Sequence, residues 1–142
     1  ACHLVSIPIL GRPVDMQQSP RYSEVVGEIN AFFTECIGWL EDNGVDRSRI
    51  IVDPGIGFGE KLEHNLAILR NIPTFKQHGC PVLIGHSRKS FFGQLLGLPV
   101  EERDWPTALV SAFAERTGAD IVRVHQVKMT VLAAGLSRTL EP

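Results

Sequence analysis

A chain of 142 residues is the size of one ordinary domain, and 44% hydrophobic with 21% charged residues suits a globular core-former, neither disordered nor fibrous. Fourteen Lys and Arg against sixteen Asp and Glu leave a formal net charge of −2, which gives no reason to expect nucleic acid or an acidic membrane as partner. Cys2, Cys36 and Cys80 are an odd number without CxxC spacing, so they read as reduced, mostly buried thiols of a cytoplasmic protein rather than a disulfide framework or zinc site.

The chain starts without Met, directly in strand-like sequence, and is expected to begin inside a longer fold. Leu4–Leu10 reads as a strand that Pro8 demotes toward an edge or an end, and a Gly- and Pro-rich loop, Gly11–Arg21, follows it. Ser23 to about Asp42 is the clearest helix. Its residues Val25, Val26, Ile29, Phe32, Phe33, Cys36, Ile37 and Leu40 share one face of a 3.6-residue period, and Asn43-Gly44 stops it. Arg49–Val52 is a short β-branched strand, as suits a parallel strand covered on both faces. Glu63–Arg70 reads as a helix, interrupted by Pro73 and ended at Gly79, before a third strand, Pro81–Gly85. Ser90–Leu96 begins another helix. Asp104 would cap the next, with Pro106 in its first turn and Thr107–Thr117 as its body. Asp120–His125 is the fourth strand and Val127–Leu140 the final helix.

Strand then helix, four times over, predicts an α/β fold with a parallel sheet and right-handed crossovers. A closed (β/α)8 barrel typically needs about 250 residues. Residues 1–142 are therefore expected to form one domain, either half a barrel or a small open sheet. No apolar run approaches the roughly 18 residues of a membrane span, and no charged-then-apolar leader opens the chain.

Three strand ends carry chemistry. The segment Val52–Lys61, VDPGIGFGEK, places Asp53 at the carboxyl end of a strand, where α/β proteins bind ligands, and follows it with Gly55, Gly57 and Gly59. A carboxylate there suits an amidine-like group offering two parallel hydrogen bonds, although an N-capping Asp in an ordinary turn has the same pattern. Leu83–Phe91, LIGHSRKSF, leaves another strand into His86, Ser87, Arg88, Lys89 and Ser90. Ser87 could be a helix cap, but two cations in a first turn oppose the helix dipole, which favours an anion-facing or catalytic role. In Ile121–Val127, IVRVHQV, Arg123 and His125 stand two apart in a strand, hence on one face, and suit an anion site better than a buried core.

Taken together, VDPGIGFGEK, LIGHSRKSF and IVRVHQV resemble, in order and position, the ends of strands six, seven and eight of the dihydropteroate synthase barrel, a pterin-binding enzyme family of folate biosynthesis that sulfonamides target. Gly11–Tyr22, GRPVDMQQSPRY, is similar to the loop after strand five, so the resemblance covers essentially the whole chain. It implies a transferase that joins 6-hydroxymethyl-7,8-dihydropterin pyrophosphate to p-aminobenzoate, with Mg2+ assisting departure of the pyrophosphate. It also implies roles: Asp53 on the aminopyrimidinone edge of the pterin, Lys89 on its ring carbonyl and nitrogen, and Arg123 stacked over it. Arg123 and His125 would hold the pyrophosphate. Gly57, Phe58 and Gly85 would border the pterin, and Phe58 and Ser87 the p-aminobenzoate. Lys89, Arg123 and His125 are the expected catalytic residues.

The chain departs from that family in lacking the first four βα units, and with them the main protein ligand of the metal. Ile7-Pro8-Ile9-Leu10 stands where the family has a Met-His-Met type segment, and Gln126 where it commonly has Asp. We therefore expect a truncated chain, inactive alone, that pairs with itself or with an amino-terminal half. A non-catalytic pterin- or anion-binding module is the alternative. A folate-dependent methyltransferase shares the barrel and the Asp, but the Ser87–Ser90 and Arg123–His125 segments argue against it.

Overall fold

The four strands are short in a computed structural model that describes residues 3–8, 22–57 and 61–140: β1 (Leu4–Ser6), β2 (Ile50–Val52), β3 (Leu83–Ile84) and β4 (Ile121–Val122). All pair in parallel. β1 lies on β2 in the register Leu4↔Ile50 to Ser6↔Val52, and β3 on β4 as Leu83↔Ile121 and Ile84↔Val122. A parallel bridge between Val52 and Val82, with the Val52 N–H donating to the Pro81 carbonyl at 3.0 Å, joins the two ladders. Spatial order therefore follows chain order, with no reversal among the described residues of the kind that marks a doubly wound sheet.

Helices cover the strands: α1 (Tyr22–Asp42), α2 (Leu62–Arg70), α3 (Ile72–Phe75), α4 (Ser90–Leu96), α5 (Asp104–Arg116) and α6 (Val127–Thr139). The face read from the spacing of α1 is the buried one: Val25, Ile29, Phe33 and Ile37 enter the core, while Cys36 is half-buried and Phe32 is exposed at the margin. They meet Ile50 and Val52 of β2, Ile68 of α2, Ile72 and Phe75 of α3, Ile84 of β3 and the Phe91–Phe92 pair of α4. Asn71 breaks the helical run, Pro73 occupies the first turn of α3 where its missing N–H costs nothing, and Gly79 closes the segment at φ +68.

On the rim opposite the strands' carboxyl ends, the Asp120 carboxylate accepts the Val82 N–H at 2.7 Å and both of its oxygens receive the Lys76 ammonium, at 2.6 and 2.7 Å. That exposed ion pair is worth little by itself. The backbone bond beside it fixes where β3 meets β4.

Three expectations need correction. β1 ends at Ser6, because Pro8 has no N–H for a ladder, while Ile9, Leu10 and the Gly11–Arg21 loop lie outside the described residues. Asp104 is the first residue of α5 rather than its cap, and its carboxylate goes to Arg88 instead of the helix end. The alternative of Ser87 as a helix cap falls away: α4 starts at Ser90 behind Lys89, and the Ser87 hydroxyl is engaged with His125. The regular part of β4 stops at Val122, so Arg123 is not inside a buried strand; its side chain is 54% exposed. The ladder nevertheless carries one residue further, with the Arg123 N–H donating to the Ile84 carbonyl at 3.0 Å. Among the described residues no helix is long and apolar enough to cross a membrane.

Candidate functional site

Asp53 leaves β2 with its N–H still bonded to the Ser6 carbonyl of β1 at 2.9 Å, so the sheet itself aims the side chain. The carboxylate is 1% exposed. Its Oδ1 accepts the Gly55 N–H at 3.0 Å, and its Oδ2 accepts from Arg123 Nη2 at 3.2 Å. Gly55 and Gly57 take φ of +85 and +83, a conformation that favours glycine, and let the backbone turn tightly under the acid. Gly57 also gives passage to Lys89, since a Cβ there would stand 2.7 Å from the lysine Cδ. The Gly57 N–H donates to Asn65 Oδ1 of α2 at 2.7 Å. Phe58 lies outside the described residues.

Burial pushes the Asp53 carboxyl above the ordinary range, and the Gly55 N–H, Arg123 and Lys89 oppose that only in part. A raised folded-state value means that this group favours the fold below the unfolded value, near pH 4, and that the benefit is lost as pH rises through the folded value. Asp53→Asn, which can keep the Gly55 bond, is therefore expected to raise the thermal midpoint by about 2–4 °C at pH 7. The gain should vanish toward pH 4. A melting series from pH 4 to 8 that finds the substitution destabilising at pH 7 would refute this account.

The second segment and the third are tied together. The Ser87 hydroxyl accepts the His125 N–H at 3.1 Å and stands 2.8 Å from His125 Nδ1. Gly85 makes room for Arg123: a Cβ there would come within 2.6 Å of Nη2 and 3.2 Å of Cζ. Gly85, Ser87, Lys89, Arg123, Val124 and His125 line one cavity of about 260 Å³. That is below the roughly 300–1,000 Å³ of pockets enclosing whole drug-sized ligands, so it accommodates an anionic group rather than an entire conjugate.

Of the expected site residues, the fold thus brings Asp53, Gly57, Gly85, Ser87, Lys89, Arg123 and His125 to one rim. Contacts that escaped the sequence reading stand behind them. Asn65 holds the glycine turn, and Arg88 pairs with Asp104 at 2.7 and 2.8 Å. No periodicity signals either contact, because each links a helix to a loop. Among the described residues no three His, Cys, Asp or Glu side chains come together as a metal would need. The buried acid is already paired with Arg123, so these residues do not fit a resident Mg2+.

Successive parallel strands of this α/β protein thus deliver one buried carboxylate and a group of cations to a common rim. Residues 1–125 match the family model described as pterin binding enzyme, and the chain belongs to that family. It is 41% identical over 123 residues to the dihydropteroate synthase of Escherichia coli K12, an alignment covering 87% of this chain and 44% of that protein. Over 126 residues it is 41% identical to the dihydropteroate synthase of Synechocystis, again covering 44% of the relative. The chain thus spans under half the length of these curated relatives. Among solved structures it resembles the dihydropteroate synthase of Anaplasma phagocytophilum with bound 6-hydroxymethylpterin-monophosphate, with a TM-score of 0.89 and 35% identity over 98% of this chain and 53% of that one. The Coxiella burnetii enzyme in complex with pteroic acid gives 0.86 and 29% identity over 96% of this chain and 50% of that one.

Proposed function

We propose that this chain supplies the pterin and pyrophosphate side of a dihydropteroate synthase, as βα units five to eight of a (β/α)8 barrel. The buried Asp53 carboxylate carries the reading. A charge that raises the free energy of the fold is best explained by a ligand that completes it, and the aminopyrimidinone edge of a pterin offers the two N–H donors an acid accepts. Arg123, half exposed and joined to Asp53 by a single 3.2 Å bond, is free to turn its fork to a pyrophosphate. His125 stands beside it. Lys89 contributes positive charge at the pterin ring, and Ser87 holds His125 in place.

In this mechanism the aniline nitrogen of p-aminobenzoate attacks the pterin methylene. The carbon–oxygen bond breaks with its electron pair going to pyrophosphate, and the nitrogen loses a proton. The residues act by positioning and by stabilising charge on the leaving group. The remaining half of the barrel must come from a second copy or from amino-terminal units. Leu4 and Val5 of β1 and Ile121 of β4 are exposed and call for such cover.

The test is calorimetric titration of the purified chain with 6-hydroxymethyl-7,8-dihydropterin pyrophosphate, beside an assay for dihydropteroate. Binding is expected in the wild type and lost in Asp53→Asn, with no product formed by the chain alone. Product from the isolated chain would overturn the half-barrel reading, and binding unaffected by Asp53→Asn would overturn the site. Binding without catalysis is the second reading, favoured by the Asp53–Arg123 and Ser87–His125 contacts, which need nothing beyond this chain.

A further inference from the structure

Arg88 was read as one of two cations facing the ligand, but the structure turns it away. Its guanidinium donates through Nε and Nη2 to the two carboxylate oxygens of Asp104 at 2.7 and 2.8 Å, a bidentate pair. Its backbone holds φ at +58, and among the described residues it is the one non-glycine with a positive φ. Such a conformation persists in an arginine only where the surroundings impose it. Those surroundings are α5 and the residue before it. The Arg88 N–H donates to Thr107 Oγ1 at 3.2 Å. Arg103 Nη1 donates to the carbonyls of Arg88 at 3.1 Å and Lys89 at 3.4 Å, while its Nε holds the Leu98 carbonyl at 3.0 Å. Gly93 of α4 leaves the space for this guanidinium, since a Cβ there would lie 2.5 Å from Arg103 Nη2.

One residue earlier, His86 is buried completely, with Nε2 3.0 Å from the Thr107 carbonyl and 3.1 Å from Ser111 Oγ. A carbonyl can only accept, so Nε2 carries the proton, and burial holds the ring below its ordinary pKa and therefore neutral. From His86 to Lys89, two residues, His86 and Arg88, and the carbonyl of a third, Lys89, are thus bound to Arg103 and α5. Ser87, between the two anchors, is what remains to meet His125.

We propose that Asp104 and Arg103 are positioning residues of the ligand pocket, acting through Arg88 and the loop backbone to set the Ser87–His125 hydrogen bond and the direction of Lys89. The proposal rests on the pocket reading above for its purpose, though not for its geometry. Neither residue lines the cavity. Arg103 holds the carbonyl of Lys89, which does, and Asp104 holds Arg88, the residue between Ser87 and Lys89, which both do.

The test joins nitrogen-resolved imidazole spectra of His125 with calorimetric titration of inorganic pyrophosphate, both on the 142-residue chain. Asp104→Asn is expected to move the Nδ1 resonance of His125 and to raise the pyrophosphate dissociation constant about tenfold, the low end of what losing a supporting residue costs. Helical circular dichroism should be unchanged, and Asp104→Glu, which keeps the carboxylate, should restore both readouts. Arg88→Asn removes the same ion pair from the other side with a residue that tolerates positive φ, and is expected to reproduce Asp104→Asn. If one variant fails to fold, the other decides. A His125 resonance unmoved in a folded variant overturns the proposal, as does unchanged affinity in a chain that binds pyrophosphate. A wild-type chain that takes no pyrophosphate overturns the pocket reading instead, and the His125 resonance still decides this one.

Discussion

Replacing Gly85 with alanine is expected to weaken pyrophosphate binding about 10- to 100-fold while moving the thermal midpoint by no more than about 2 °C. The separation of the two effects comes from what the added methyl meets. All three of its close neighbours, at 2.6, 3.2 and 3.3 Å, belong to the end of the Arg123 side chain. That end is flexible and half exposed, so it can move aside with little loss of packing. Once displaced it no longer sits between Asp53 and the cavity, and a misplacement of that order is costly to an oriented charge. Isothermal titration with inorganic pyrophosphate measures the first effect and a melting curve the second. A double variant with Arg123→Ala tests the route: if Gly85 acts through Arg123, the second substitution adds almost nothing. Full additivity would mean that Gly85 matters for another reason.

The largest stability effect is expected in α1. Phe33→Ala should cost about 3–5 kcal/mol, a large share of the roughly 5–15 kcal/mol that holds a domain of this kind together. The ring has no exposed surface and meets Phe75 edge-on at 6.2 Å and His78 at 5.6 Å. It thereby joins α1 to the turn that leads into β3, and its removal leaves a cavity that two helices border. The neighbouring Phe32 is the control: it is 37% exposed, and Phe32→Ala should cost under about 1.5 kcal/mol. Urea denaturation of the two variants decides, and equal losses would mean that the face of α1 has been misassigned.

These two residues also illustrate what the sequence made legible. Phe33 was placed in the core by spacing alone, because a 21-residue helix repeats its buried stripe often enough for period to beat chance. The order of strands and helices was readable for the same reason. Strand lengths were not. Apolar residues continue past the ladder at Pro81 and Val124, while whether a backbone pairs depends on a neighbour far away in sequence. Asp53, Arg123 and His125 stood out as site candidates because polar residues at the end of an apolar run conflict with their surroundings. Arg88 presented the same conflict and was misread. Its partner Asp104 is 16 residues on, beyond a helix, and opposite charges at that separation carry no pattern. Asp104 was accordingly given the nearest local task, capping, which the fold assigns to no side chain at that end.

The Asp120 contacts divide the sheet into two ends with different tolerances. At one end a carboxylate clasps the Val82 amide and the Lys76 ammonium, far from Asp53 and the cavity, and any change there is felt by every molecule whether or not ligand is present. At the other end Arg123 and His125 are open to solvent and Lys89 partly so, whereas Asp53, His86 and Ser87 are buried. Substitutions at Arg123 and His125 are therefore expected to cost the fold less than substitutions at His86 beside them.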